Sequence, residues 1–167
     1  MNFATLKLFV LVLILQFAST AIGQTVGNSG WNKINANNLF SFRLPQGFEK
    51  TKTAGVENYL GEYYKGTTRF FFVCNDTDSY DVKSDSSVKN YQVTKTQISG
   101  KPADIRTFSF VRSGKRVYRA ELNFGDWENG DYELYMQLES ENQADVETAK
   151  QIFGSVVFAQ RQATNNK

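Results

Sequence analysis

Carboxylates and hydroxyls are the only side chains in this sequence whose types and spacing invite a chemical reading, because the chain has no histidine. That removes His-based triads, an imidazole general base and zinc sites that need imidazole. Asp76, Asp78, Asp81 and Asp85 recur within a polar stretch and supply hard oxygens of the kind Ca²⁺ takes. An EF-hand loop needs Gly at its sixth position and Glu at its twelfth. Counting from Asn75 puts Tyr80 and Ser86 there, and counting from Asp76 puts Asp81 and Ser87. Both registers fail, so these four aspartates read as a solvated loop, with an irregular cation site as the alternative. Glu121, Glu133 and Glu139 fall on sheet faces, and Asp126, Glu128 and Asp131 surround one turn. Paired carboxyls held about 5–9.5 Å apart could hydrolyse a glycoside, yet the same alternation describes a solvated sheet face. Ser109 and Lys115 lack an identifiable activating partner for nucleophilic work. Asn75-Asp76-Thr77 fits an N-glycosylation acceptor, which matters only in a eukaryotic secretory pathway. These residues identify no reaction, no metal and no cofactor, and a non-enzymatic protein is expected.

The lone cysteine, Cys74, follows Phe70-Phe71-Phe72-Val73. It has no internal partner for a disulfide, and its neighbours favour a buried apolar thiol over an intermolecular disulfide or a reactive group. Aromatic residues are the one unusual supply. Setting aside Phe3, Phe9 and Phe17 leaves eleven Phe, eight Tyr and two Trp. Most must fill a core, but Tyr63, Tyr64, Tyr118, Tyr132 and Tyr135 cannot all point inward from alternating strands. Tyr118, Tyr135 and Trp127 are therefore the candidate partner-binding residues. Tyr135 stands opposite Leu134 and Met136 and would face a helical layer or a ligand groove, and Trp127 sits in a turn where it could anchor a partner.

The elements that must position these residues begin after residue 23. Met1 to Lys7 carries one positive charge, residues 8–15 are continuously apolar, and small residues lead to Ala21-Ile22-Gly23. This reads as a signal peptide over 1–23, cut before Gln24, with a retained anchor or a buried strand as alternatives. The apolar run is shorter than the roughly 20 residues of a membrane span, and no later segment replaces it. Export to the periplasm or the medium follows. Cleavage removes Lys7 and takes the formal net charge from +2 to +1, which argues against a nucleic-acid partner. Residues 24–32 read as a flexible lead-in, 33–159 as a single α+β domain and 160–167 as a disordered tail.

Within the domain, residues 39–44 alternate and stop at Pro45-Gln46-Gly47. Residues 57–64 and 67–75 flank Lys65-Gly66 as a hairpin, and its second arm, apolar on both faces, belongs inside a sheet. Strands over 91–98, 101–111, 116–124 and 131–139 form an antiparallel meander. Tyr132, Leu134, Met136 and Leu138 face one way, while Glu133, Tyr135, Gln137 and Glu139 face the other. The period then changes. Asn142 caps a helix, with Asp145 at its third position, and Val146, Ala149, Ile152, Phe153 and Val156 fall on one stripe that docks on the sheet. Burying the four larger of these side chains contributes about 6–10 kcal/mol gross. Gly154 stops the helix, and residues 155–158 form a last strand.

This order resembles the PsbP-like (Mog1/PsbP) proteins, including their small exported bacterial members. The resemblance rests on Leu44-Pro45-Gln46-Gly47-Phe48 closing the first strand, the long meander, the helix from Asn142, and Ile152-Phe153-Gly154-Ser155-Val156-Val157-Phe158. It covers roughly residues 31–159 and implies an α/β/α sandwich that serves in binding or assembly. The stretch 75–90 is short for a second helical layer, and no site residue carries over. The expected function is an exported binding or assembly protein, recognising a protein or a small ligand through an aromatic-lined sheet face or the Trp127 turn. A structural envelope protein and, less favoured, a secreted hydrolase are the alternatives.

Overall fold

The computed structural model describes residues 30–36, 38–51, 59–74, 87–124 and 134–159. The proposed signal peptide, the tail over 160–167, Asn75, the four aspartates between 76 and 85, and Asp126, Trp127, Glu128, Asp131, Tyr132 and Glu133 lie outside the described residues.

Among the described residues, ten strands and one helix make an α+β fold. In chain order the strands are β1 (Asn32–Ala36), β2 (Phe40–Leu44), β3 (Glu49–Lys50), β4 (Tyr59–Lys65) and β5 (Thr68–Cys74). They continue with β6 (Lys89–Ile98), β7 (Lys101–Arg112), β8 (Lys115–Asn123), β9 (Leu134–Ser140) and, after helix α1 (Asp145–Gly154), β10 (Val157–Phe158). Seven strands form one sheet in the order β3-β4-β5-β9-β8-β7-β6, and β1-β2-β10 form a second. All pairings are antiparallel. The meander from β6 to β9 follows the alternation in the sequence, and the β4–β5 hairpin joins it along β9.

The core lies between the large sheet and a layer made of α1 and the small sheet. Period-two alternation sends Phe70, Phe72 and Cys74 of β5, Leu134, Met136 and Leu138 of β9, and Ala120 and Leu122 of β8 to one face, all buried. Phe40 and Phe42 come down on this face from β2. The Phe42 ring lies 5.4 Å from Phe70 and 5.5 Å from Phe72, the latter edge-on. Phe72 owes its place partly to Gly61 across the β4–β5 pair, because a Cβ there would lie 2.2 Å from the ring. Cys74 is buried and unbridged. Desolvation pushes its thiol up to about 12, which keeps it from acting as a thiolate. Trp31 packs against the same core.

Helix α1 docks by the expected stripe. Ala149, Ile152 and Phe153 are buried, with Val156 just beyond and Val146 partly covered. Its ends differ from the reading above. Asn142 lies ahead of the helix: its side-chain oxygen accepts from Ala144 N–H and its carbonyl accepts from Asp145 N–H. A tight turn thus precedes the first helical residue, Asp145. That carboxylate accepts from Thr68 and Ser140 hydroxyls at 2.8 and 2.6 Å and so fixes the helix start to β5 and β9. At the other end Gly154 is the last helical residue, and Ser155 makes the stop. Its hydroxyl donates to Ile152 C=O and accepts from Arg43 N–H of β2.

Among the described residues there is one helix, and it covers one face. The expected sandwich with helices on both faces is therefore not what these residues form. β1 is a strand the sequence reading did not assign, running from Asn32 at the end of the proposed lead-in and paired along β2.

Candidate functional site

Strand register decides which candidate residues meet. Tyr118 pairs with Ser140 across β8–β9, and Asn123 pairs with Tyr135. Five residues separate the two pairs along each strand, so Tyr118 and Tyr135 stand on opposite faces. Trp127 lies outside the described residues.

Tyr118 faces the helix layer and lines a groove of about 700 Å³. Its floor comes from β7 and β8. Ser109 pairs directly with Tyr118, and Thr107, two residues back, shares that face. One wall is the start of β6, where Asn90 and Gln92 line the groove, while the Tyr91 ring lies 6.1 Å from that of Phe108. The ladder slips between Lys89 and Gln92, and Asn90 sits at φ 56°. Such a bulge bends the strand and re-aims its side chains, and Asn tolerates the left-handed region better than most residues. The opposite wall is the first turn of α1 and the approach to it, with Gln143, Val146, Glu147 and Lys150. Lys150 donates to Glu147 at 2.7 Å, so the two charges on the rim offset each other.

Ser109 is the least ordinary of these residues. It is 2 % exposed, and its hydroxyl has no hydrogen-bond partner among the described residues. A buried hydroxyl left in that state costs about 1–3 kcal/mol. Lys89 is the cross-strand neighbour of Ser109 on β6, and Lys115 donates to Glu141 at the β7–β8 turn. Ser109 lies between Phe108 and Phe110, and the β7–β8 register turns it toward the helix and sends both phenylalanines to the far face.

That far face sets charged side chains among apolar ones such as Phe108, Val73 and Val117. Tyr64, Arg69, Glu139, Arg119 and Phe108 form one transverse row over β4, β5, β9, β8 and β7. Arg119 bridges Glu139 and Glu121, with the second contact at 3.3 Å, and Arg112 donates to both oxygens of Glu139 at 2.9 and 3.2 Å. The Arg119 guanidinium lies 4.9 Å from the Phe110 ring centre and 5.4 Å from that of Phe108. Farther along, Arg69 donates to Glu62 at 2.5 Å and lies over Phe71, whose ring is 5.7 Å from Tyr135. Tyr135 donates to Gln137 at 2.8 Å. Burial, then the nearby Glu121 charge, pushes its phenol well above the ordinary value. Glu121, Gln137 and Glu139 are buried, so this is not the solvated face that alternation allowed. Arginine and aromatic side chains lie across it.

The two buried carboxylates do not make a hydrolytic pair, since one guanidinium joins them. Burial alone would raise the Glu139 carboxyl, but hydrogen bonds and charge from Arg112 and Arg119 outweigh it and hold the group below its ordinary 4.5. A depressed folded value stabilises the fold above the unfolded value and loses that contribution as pH falls through the folded one. Unfolding free energy should therefore decline as pH drops below about 4.5. Glu62, also held low by Arg69, acts in the same direction. The Glu139→Gln variant should lose stability at neutral pH and show a shallower acid limb. Urea unfolding at a series of pH values measures both, and an unchanged acid limb would remove Glu139 from this role.

Among the described residues no group of three or more Cys, His, Asp or Glu is placed to hold a metal ion. No described helix is long and apolar enough to cross a membrane. No protein-family model matches the chain, and no curated protein matches it. Among solved structures the chain is similar to PA94 of Pseudomonas aeruginosa, a protein of unknown function suggested to be a regulator. The two are 12 % identical with a TM-score of 0.48, over 80 % of this chain and 99 % of the other, a likeness too distant to carry a functional argument.

Proposed function

We propose that this chain is an exported, non-enzymatic binding protein that takes its ligand in the groove between α1 and strands β6–β8. The observation that carries this is Ser109, a buried hydroxyl without a partner among the described residues, in the floor of a groove whose volume suits a small-molecule site. Tyr118 beside it offers a ring for apolar contact and a hydroxyl for a polar one. Export rests on the charge and apolar run of residues 1–23. A PsbP-like plan remains part of the proposal, supported by the antiparallel meander, the helix after it and the short closing strand. A protein partner at Tyr135 or Trp127 is the less favoured reading, because Tyr135 is already engaged with Gln137 and Phe71.

Amide NMR with a library of small neutral fragments tests the site. Bound fragments should perturb Thr107, Ser109, Tyr118 and Gln143 together. Perturbation confined to Phe71, Arg119 and Tyr135 would move the site to the other face and overturn the groove reading.

A further inference from the structure

We propose that the ligand of this groove is a saccharide, an inference that rests on the groove being the binding site. The lining selects by exclusion. Its two charged side chains, Glu147 and Lys150, pair with each other. The two charges cancel, so the lining presents no net charge to an ionic ligand. An apolar ligand would displace water from Asn90, Gln92 and Gln143 and give their amides nothing in return. It would also leave the Ser109 hydroxyl unpaired, at a cost of about 1–3 kcal/mol for each buried group so treated. What remains is an uncharged molecule that carries many donors and acceptors as well as C–H surface.

A saccharide meets each demand. Side-chain amides present a donor and an acceptor together, the pattern that neighbouring sugar hydroxyls complement. Tyr118 offers ring surface to the C–H face of a pyranose. The Ser109 hydroxyl gains the partner that the described residues do not provide. A neutral peptide shares the amide chemistry, but it binds a sheet best by pairing with a free strand edge. The groove floor is the face of β7 and β8, whose backbones are already paired, and the outer edge of β6, the last strand of the sheet, points away from that floor.

The test is an amide NMR titration of the protein with maltotriose, with the trimer of N-acetylglucosamine, and with an N-acetylated trialanine amide. At least one trisaccharide should shift Thr107, Ser109, Tyr118 and Gln143 saturably, and the peptide should not. Ser109→Ala should weaken that trisaccharide by about twofold to tenfold, the size of one net hydrogen bond. The same variant should unfold at a urea concentration no lower than the wild type, since it removes an unpaired buried group. A purely structural Ser109 would instead lower the midpoint and leave affinity alone, which would overturn its assignment to the ligand. Shifts with the peptide and neither sugar would overturn the saccharide and keep the groove. No groove shifts with any probe, the fragment library included, would overturn both.

Discussion

Replacing Arg119 by Met should lower the free energy of unfolding by about 3–5 kcal/mol, the usual cost of removing one partner from a buried ion pair. The size follows from what stays behind. Glu121 and Glu139 are 2 % and 5 % exposed. Without the guanidinium Glu121 loses its charged partner, and Glu139 keeps only Arg112, which is itself half exposed. Methionine preserves most of the contact with Phe108 and Phe110, so the loss reports the charge rather than packing. Adding Glu121→Gln and Glu139→Gln to Arg119→Met should recover a large part of it, because neutral amides need no counter-charge. Chemical unfolding followed by circular dichroism measures both variants. A loss below about 1 kcal/mol would mean that these carboxylates behave like an exposed pair.

A second large effect is expected at Phe42. It is 1 % exposed and touches Phe40, Phe70 and Phe72 at the junction of the two sheets. Phe42→Ala should cost about 3–5 kcal/mol, combining the lost transfer energy with the cavity left between sheets. That is a large fraction of the roughly 5–15 kcal/mol that holds a small domain folded. Phe42→Leu should cost less because it fills part of the space. Equal losses for both would place the Phe42 contribution in ring geometry rather than in filled volume.

The strands that the sequence displays are those whose own side chains pay for their burial. β8 and β9 alternate cleanly through Ala120 and Leu122, and through Leu134, Met136 and Leu138, so their pairing and inner face were legible. The stripe of α1 was legible for the same reason at a different period. β1 was not, because Asn32, Lys33 and Asn35 are polar and exposed, and its strand conformation comes from pairing with β2. β3 is two exposed residues held by β4.

The site was less legible than the fold. Alternation assigned Tyr135, Gln137 and Glu139 to one face but could not show what lies across them. Arg69 and Arg119 flank Glu139 only once β5 is known to pair with β9. The groove depends on a bulge at Asn90 and on where α1 begins. The first has a weak local signal, and the second shifted because Asp145 is held by Thr68 and Ser140 rather than by an Asn142 cap. Tyr118 emerged from the sequence as a surplus aromatic residue, whereas Ser109 needed the register.

Isothermal titration of the trisaccharide that shifts the groove, into wild type, Tyr118→Leu and Tyr135→Leu, confronts the groove claim most directly, provided all three unfold cooperatively. Tyr118→Leu should weaken binding by about fivefold or more, a loss of about 1 kcal/mol or more typical of a buried aromatic contact, while Tyr135→Leu should bind as the wild type does. Wild-type affinity in Tyr118→Leu together with lost affinity in Tyr135→Leu would contradict the groove claim.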